Sequence, residues 1–228
     1  MYILHIGNKN YSSWSLRPWV LMRTLGIAFD ERLTPFDGAG NAAFRAFSPT
    51  GKVPCLVDGD TTVWDSLAIA EYLAERHETV WPRDARERAW ARCAAAEMHS
   101  GFSALRGGCP MNCGLRIRLP QPAAALKDDL ARLGQLWSQG LMMFGGPFLA
   151  GASFTAVDAF FAPVAFRLQT YDLTLPSLAQ AYARRLLELP SMREWYTCAL
   201  AETTHDAQHD AEIARSGQVI ADLRASAG

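Results

Sequence analysis

The sequence predicts a mixed α/β domain at the N-terminus and an all-α domain after it. In residues 1–78, strand patterns alternate with helix patterns and end in a hairpin signal. In residues 84–228, the extended apolar patterns have helical spacing. Residues 79–83 interrupt both kinds of pattern around Trp81 and Pro82, so we place a linker there. This order suits one small sheet flanked by helices, followed by packed helices.

The first domain is predicted from strand runs, helix signals and turn residues. Pro18 fits the first turn of a helix, where its missing N–H costs nothing, and Gly26 ends that helix. Asp58-Gly59-Asp60 is a hairpin turn signal. The predicted elements are a strand over 2–6, a helix over 15–25, a strand over 29–33, a short helix over 42–47, a strand entered through 52–57, its hairpin partner over 61–64, and a helix that Asp65 or Ser66 caps and that continues to 74.

The second domain is predicted from amphipathic helices alone. Thr155 and Asp158 have the spacing of a capping box, and so do Ser191 and Glu194. The predicted helices cover 86–106, 123–140, 155–168, 178–189 and 192–201, and the polar tail from residue 203 onward receives no assignment. We expect no strand in this half of the chain.

Composition excludes several classes of function. The chain has 228 residues, a hydrophobic fraction of 50% and a formal net charge of −1. A nearly neutral protein lacks the positive surface that binds nucleic acid or an anionic membrane. No apolar run reaches the ~18 residues that span a bilayer. The first residues lack the basic flank of a signal peptide, so we expect a cytoplasmic protein.

The five cysteines predict reduced thiols, because an odd number in a chain without an export signal is typical of a reducing compartment. Cys109 and Cys113 lie four residues apart and resemble half of a metal site. No second pair of Cys or His at matching spacing completes four ligands, so we expect no bound metal.

A serine-rich loop joins the first strand to the first helix. The helix N-terminus presents unpaired N–H groups and a partial positive charge, and Arg17 adds a full charge nearby. A hydroxyl of Ser12 or Ser13 in that field can donate a hydrogen bond to a bound thiolate. Lowering a thiol pKa by two units from ~8.5 needs only ~2.7 kcal/mol. The alternative is that these serines only cap the helix.

Two further segments have chemistry suited to a peptide ligand. If the Val53–Pro54 bond is cis, the backbone of Val53 turns outward and pairs with a peptide as an added strand does. Ser66 lies at a helix start, where a carboxylate binds well, and Asp65 is suited to an α-ammonium group. The alternatives are an ordinary trans proline and a plain helix cap.

These motifs together resemble the glutathione S-transferase family. They are the Ser-Ser-x-Ser-x-Arg loop, the Val-Pro before a hairpin, the Asp-Ser-x-Ala-Ile helix start and the Gly-x-x-x-Thr-x-x-Asp box, in that order over nearly the whole chain. The resemblance implies a thioredoxin-like domain that binds glutathione, a helical domain that holds a small electrophile, and a homodimer. It implies glutathione-binding roles for Lys52, Val53, Pro54, Asp65 and Ser66.

The resemblance leaves the catalytic serine open. The serine spacing resembles the zeta class and favours Ser12, whereas counting back from Arg17, as in the theta and delta classes, favours Ser13. Trp14 stands where the zeta class has a cysteine, which disfavours zeta-type reactions that need that thiol. Candidates for the second-substrate pocket are Trp14, His99, Met111 and Asn112.

Three functions fit these residues. The first is a transferase that activates glutathione as a thiolate and adds it to an electrophile. The second is a glutathione-dependent cis–trans isomerase of an unsaturated diacid, whose carboxylates Arg106, Arg116 and Arg118 would hold. The third is a binding protein that keeps the glutathione site without turnover.

Overall fold

The computed structural model describes residues 1–38 and 42–225, and it confirms the predicted fold class. Residues 39–41, between the predicted second strand and the predicted short helix, and the last three residues of the predicted second domain lie outside the described residues. The described elements are β1 (Tyr2–Ile6), α1 (Ser13–Thr24), β2 (Phe29–Leu33), a 3₁₀ turn (Ala42–Ala46), β3 (Cys55–Asp58), β4 (Thr61–Trp64), α2 (Ser66–Ala74), α3 (Ala85–Ser100), α4 (Ser103–Gly108), β5 (Leu115–Arg118), α5 (Ala124–Phe144), α6 (Ala156–Thr170), α7 (Ser177–Glu188), α8 (Pro190–Ala201), α9 (Ala207–Ser216) and β6 (Gln218–Asp222).

The N-terminal sheet has the strand order β2-β1-β3-β4. β1 is parallel to β2 and antiparallel to β3, and Leu4 lies opposite Leu56 in the register. Both leucines are buried, because alternate side chains of these strands face the core. α1 contacts β1, α2, α6 and α8, so the two halves of the chain share one continuous core.

The capping box of α6 is confirmed and is wholly buried. The Asp158 carboxylate accepts hydrogen bonds from Leu149 N at 3.0 Å, Thr155 N at 2.9 Å and the Tyr182 hydroxyl at 2.8 Å. Burial raises the pKa of Asp158 to about 6. One carboxylate therefore joins the start of α6 to the preceding loop and to α7.

The predicted continuous helix over 86–106 is wrong. The chain leaves helical geometry at Gly101, and Phe102 adopts a left-handed conformation with φ 54°. A side chain at Gly101 would meet the Glu97 carbonyl oxygen at 2.8 Å. The break directs α4 toward the end of the first domain that carries the serine loop, where Ser103 and Arg106 line the same cavity as Ser12 and Ser13.

The expectation of no strand in the second half is also wrong. β5 and β6 form an antiparallel two-stranded ribbon, and α9 precedes β6 in the tail that received no assignment. Each strand is short and its partner is distant in sequence, so the local pattern gives little signal. No helix in the described part of the chain is both long enough and apolar enough to cross a bilayer.

The second predicted capping box is not formed. α8 begins at Pro190, and its N-cap residue Leu189 makes no side-chain capping bond. Ser191 instead lies 2.7 Å from the Thr24 hydroxyl, and Glu194 pairs with Arg23 at 3.5 Å. Both side chains therefore tie α8 to α1.

Candidate functional site

Two neighbouring recesses open at the carboxyl end of β1. The larger one has a volume of about 560 Å³ and the smaller about 380 Å³. Trp14, Lys52 and Val53 line both, so the recesses adjoin. The larger recess is also lined by Tyr11, Ser12, Ser13, Phe36, Phe44, Ser103, Arg106, Gly107, Pro110, Met111, Arg167, His209 and Glu212. The smaller one adds Thr50, Pro54, Trp64, Asp65 and Ser66.

The loop between β1 and α1 is held by the helical half of the chain. Glu202 accepts from Lys9 N at 2.6 Å and from Asn10 N at 3.2 Å. The Trp195 indole N–H donates to the Lys9 carbonyl oxygen at 3.0 Å. These bonds fix the backbone that leads into Ser12 and Ser13.

The two candidate serines have different surroundings. Ser12 is buried, and its hydroxyl donates to the Ser15 hydroxyl at 2.7 Å while accepting from Ser15 N. The hydroxyl proton of Ser12 is therefore already donated to Ser15. Ser13 is half-buried, and its oxygen accepts from Nη2 of Arg167 at 3.3 Å. No described residue accepts the Ser13 proton, which is left for a ligand.

Arg167 is a site residue that the sequence analysis missed. It is 5% exposed, and it also donates to the Cys109 carbonyl oxygen at 2.9 Å and to the Pro163 carbonyl oxygen at 3.3 Å. Burial lowers the pKa of Arg167 to about 10. A buried arginine in an apolar helix is the one signal that could have found it, because burial of an arginine needs a compensating partner.

Asp65 and Ser66 lie at the start of α2. Asp65 has φ 72° and accepts from Leu67 N at 2.8 Å, so it is the N-cap residue. Ser66 is buried and accepts from Arg17 at 3.4 Å. Nε2 of His99 lies 3.6 Å from Asp65. A carboxylate, a hydroxyl and a guanidinium group thus meet at one helix N-terminus.

Arg17 is buried, and no carboxylate of the described residues forms a hydrogen bond with it. Its guanidinium carbon lies 4.1 Å from the centre of the Trp14 ring and 4.9 Å from that of Phe160. Its Nε is buried and has no hydrogen-bond partner among the described residues. Burial, together with the charges of Arg106 and Arg167, lowers the pKa of Arg17 to about 9.

The Val53–Pro54 peptide bond is cis, which settles the alternative left open by the sequence. Val53 lies between the two recesses and lines both. Among the described residues, neither its N–H nor its C=O forms a hydrogen bond. Its backbone is therefore available to a ligand. Lys52 is exposed beside it.

The structure brings only some of the second-substrate candidates together. Trp14 and Met111 line the larger recess. His99 lies outside that lining and packs edge-on against Trp14, with ring centres 5.2 Å apart. Asn112 is fully buried, and its side-chain oxygen accepts from Gly114 N and Leu115 N at 3.0 Å each.

The three arginines proposed for a diacid also separate. Arg106 lines the larger recess, whereas Arg116 and Arg118 lie on β5 outside its lining. Arg116 donates to the Tyr196 hydroxyl at 3.2 Å, and Arg118 is exposed. The helix break therefore supplies one arginine to the cavity, and α6 supplies the second, Arg167.

Helix α9 forms one wall of the larger recess through His209 and Glu212. The sequence did not predict this wall. Nδ1 of His209 lies 2.6 Å from the Asp206 carboxylate. The Tyr11 hydroxyl donates to Asp210 at 3.0 Å. Arg224, beyond α9, donates to that tyrosine oxygen at 3.0 Å and to Asp210 at 2.8 Å.

No group of three or more His, Cys, Asp or Glu side chains within residues 1–38 and 42–225 is arranged to hold a metal ion. Cys109 and Cys113 are both buried free thiols. Burial raises the pKa of Cys109 to about 11 and raises that of Cys113 further. Both thiols are therefore neutral at physiological pH.

Two family models match the chain. The model of the glutathione S-transferase N-terminal domain matches residues 11–76, and that of the C-terminal domain matches residues 119–198. Glutathione S-transferase Z1 of Arabidopsis thaliana is 28% identical over 171 residues, which cover 72% of this chain and 75% of that protein.

Two dichloromethane dehalogenases match over short segments. That of Methylophilus leisingeri is 56% identical over 32 residues, which cover 14% of this chain and 12% of that protein. That of Methylorubrum extorquens is 40% identical over 60 residues, which cover 25% of this chain and 21% of that protein. The chain therefore matches only a small part of these first relatives.

Solved structures share the fold. A glutathione transferase homologue from Burkholderia with bound glutathione has a TM-score of 0.66 at 23% identity, with 87% of this chain and 97% of that chain covered. A theta class enzyme of Xanthomonas axonopodis pv. citri with glutathione bound has a TM-score of 0.63 at 24% identity, with 86% and 96% covered.

Proposed function

The chain belongs to the glutathione S-transferase family, and from this premise we propose that it activates glutathione as a thiolate and joins it to a small electrophile. The observation that carries the proposal is the Ser13–Arg167 pair at the start of α1. The guanidinium donates to the hydroxyl oxygen and polarises it, and no described residue accepts the hydroxyl proton. That proton is available to a thiolate sulfur in the larger recess.

The environment of each serine supports Ser13 over Ser12 as the thiolate donor. Ser12 would have to break its 2.7 Å bond to Ser15 before it could donate to a ligand. Ser13 keeps its contact with Arg167 while it donates, because it accepts there through its oxygen. The positive end of the α1 dipole adds to the stabilisation of negative charge.

The smaller recess supports a site for the remainder of the tripeptide. We place the γ-glutamyl carboxylate against Ser66 and the Arg17 guanidinium, and the ammonium group against Asp65. The backbone of Val53, beside the cis Pro54, pairs with the cysteinyl unit as a strand edge does. Lys52 is suited to the glycyl carboxylate, which would lie at the exposed end.

The proposed reaction balances between the two substrates and solvent. The thiol gives its proton to solvent, and the thiolate sulfur attacks an electrophilic carbon. A carbon–sulfur bond forms, and a leaving group such as halide departs with the electron pair of its own bond. Ser13 and Arg167 stabilise the reactive thiolate before attack.

The direct test of the proposed function is an ultraviolet titration of the glutathione thiolate on the wild-type protein. We expect the pKa of the bound thiol to lie at least one unit below the ~8.5 of a free thiol. A chromophoric electrophile should then be conjugated in proportion to the thiolate fraction. A bound thiol with an unshifted pKa would contradict thiolate activation.

Changing Ser66 to alanine should weaken glutathione binding about tenfold, because it removes a hydroxyl from a buried helix start that would hold a carboxylate. Titration calorimetry measures the affinity. Ser177→Ala is the matched control, since Ser177 is also the first residue of a helix but is exposed and lines neither recess. Equal affinities in the two variants would refute the head-group site.

We also propose, from family membership alone, a homodimer in the cytoplasm. The family usually pairs the first domain of one chain with the helical domain of the other. Light scattering on the eluted protein measures the mass directly, and a value near 25.1 kDa would contradict the dimer.

A further inference from the structure

Cationic side chains outnumber carboxylates in and around the two recesses. Four cationic side chains lie in or against them: Lys52, Arg106 and Arg167 line them, and Arg17 donates to Ser66, which lines the smaller one. Two carboxylates line the same recesses, Asp65 and Glu212. None of the three arginines forms an ion pair with a described residue, although Arg17 and Arg167 are only 3% and 5% exposed. Such charges favour anionic ligands, because a buried unpaired cation is costly.

Glutathione accounts for three of these four cations. In the arrangement proposed above, Arg17 with Ser66 meets the γ-glutamyl carboxylate and Lys52 meets the glycyl carboxylate. Arg167, through Ser13, meets the thiolate. Asp65 takes the single ammonium group. Arg106 then has no partner in the tripeptide.

Arg106 is held so that part of its guanidinium faces the larger recess. Its Nη1 donates to the carbonyl oxygens of His99 and Gly101, each at 3.1 Å, which anchors the side chain at the break between α3 and α4. Its guanidinium carbon lies 4.8 Å from the centre of the Trp14 ring. Nε and Nη2 donate to no described residue. The guanidinium of Arg106 is therefore held through Nη1, while Nε and Nη2 remain free to donate to a ligand.

We propose that the electrophile carries a carboxylate and that Arg106 binds it. The proposal rests on the proposed function, since it assigns the second substrate of that same site. A guanidinium fork with two free nitrogens suits a planar carboxylate. Trp14, Met111 and Phe36 supply the apolar walls for the carbon skeleton. The carboxylate is unchanged in the reaction, in which the carbon–sulfur bond forms and the leaving group departs with its electrons.

A matched pair of electrophiles tests the proposal. 4-Chloro-3-nitrobenzoate and its methyl ester share the reacting carbon and the chloride leaving group and differ in the negative charge. With the wild-type protein we expect kcat/KM for the acid to exceed that for the ester at least tenfold, after each is normalised to its uncatalysed rate with glutathione. Arg106→Gln should lower the acid value about tenfold or more and leave the ester value within twofold.

Two further variants separate a charge effect from a structural one. Arg106→Lys keeps the charge and should recover part of the preference for the acid. Arg118→Gln removes an exposed arginine of β5 that does not line either recess, and it should change neither substrate. Glutathione affinity, measured by calorimetry, should be unchanged in all three variants. Equal wild-type rates for acid and ester, or equal losses for both in Arg106→Gln, would overturn the proposal.

A binding measurement distinguishes failure of the carboxylate site from failure of the proposed transferase function. 4-Methyl-3-nitrobenzoate has no leaving group, and its binding beside glutathione is followed by quenching of tryptophan fluorescence. Binding that needs both the carboxylate and Arg106, without conjugation of the chloro compound, would support the anion site and overturn the transferase. Equal binding of this acid and its methyl ester would overturn the anion site even where conjugation proceeds.

Discussion

Replacing Ser13 with alanine should lower kcat/KM for glutathione conjugation about 100-fold, comparable to the loss of one preorganised donor to a developing negative charge. The physical reason is the loss of the one hydroxyl that is polarised by Arg167 and whose proton has no acceptor among the described residues. The pKa of the bound thiol should rise toward the ~8.5 of a free thiol. Steady-state rates and the ultraviolet titration measure the two effects separately.

Ser12→Ala is the matched control for this change. It removes the hydroxyl that accepts from Ser15 N at 3.4 Å, so it should cost about 1 kcal/mol of stability as the loss of a helix cap does. We expect its thiol pKa to match the wild type and its rate to fall less than about threefold. If Ser12→Ala lost activity and Ser13→Ala kept it, the assignment of the two serines would be reversed.

Replacing Asp158 with alanine should lower the free energy of unfolding by about 4 kcal/mol. The change leaves Leu149 N, Thr155 N and the Tyr182 hydroxyl without their acceptor in a fully buried position. For a chain of this length the melting temperature should fall by roughly 10 °C. Urea unfolding followed by circular dichroism measures the loss, at a pH well above the pKa of about 6 so that the Asp158 carboxyl is ionised.

Asp158→Asn distinguishes the effect of the lost hydrogen bonds from the effect of the lost side-chain volume. It keeps one acceptor oxygen and replaces the other with a donor, so we expect a loss between those of the wild type and the alanine variant. A loss below about 1 kcal/mol in Asp158→Ala would show that the buried carboxylate contributes little beyond filling space.

The sequence predicts the four strands of the N-terminal sheet and the capping box of α6, because these depend on local signals. The hairpin turn, the capping box at Thr155 and the Val53–Pro54 motif each lie within a few residues and carry their own chemistry. The choice between Ser12 and Ser13 depends instead on Arg167, which is 154 residues from Ser13 in the chain. The residue pattern around the serines therefore cannot predict the Ser13–Arg167 contact.

The errors have the same origin. The break at Gly101 lies within a pattern whose apolar residues continue at helical spacing on both sides, so the periodicity gives no sign of it. β5 and β6 are four and five residues long, and each gains its ladder only from the other. The wall formed by α9 likewise depends on where Tyr11, Asp210 and Arg224 meet in the folded chain.

The dispersal of the cavity walls along the chain has a consequence for synthesis on the ribosome. The loop, cis proline and helix start that line the smaller recess emerge together in the first third of the chain. Arg167 arrives only with α6, and His209 and Glu212 only with the last helix. Translation must therefore reach the last helix before all the residues that enclose the larger recess are present, whereas the residues of the smaller recess are complete much earlier.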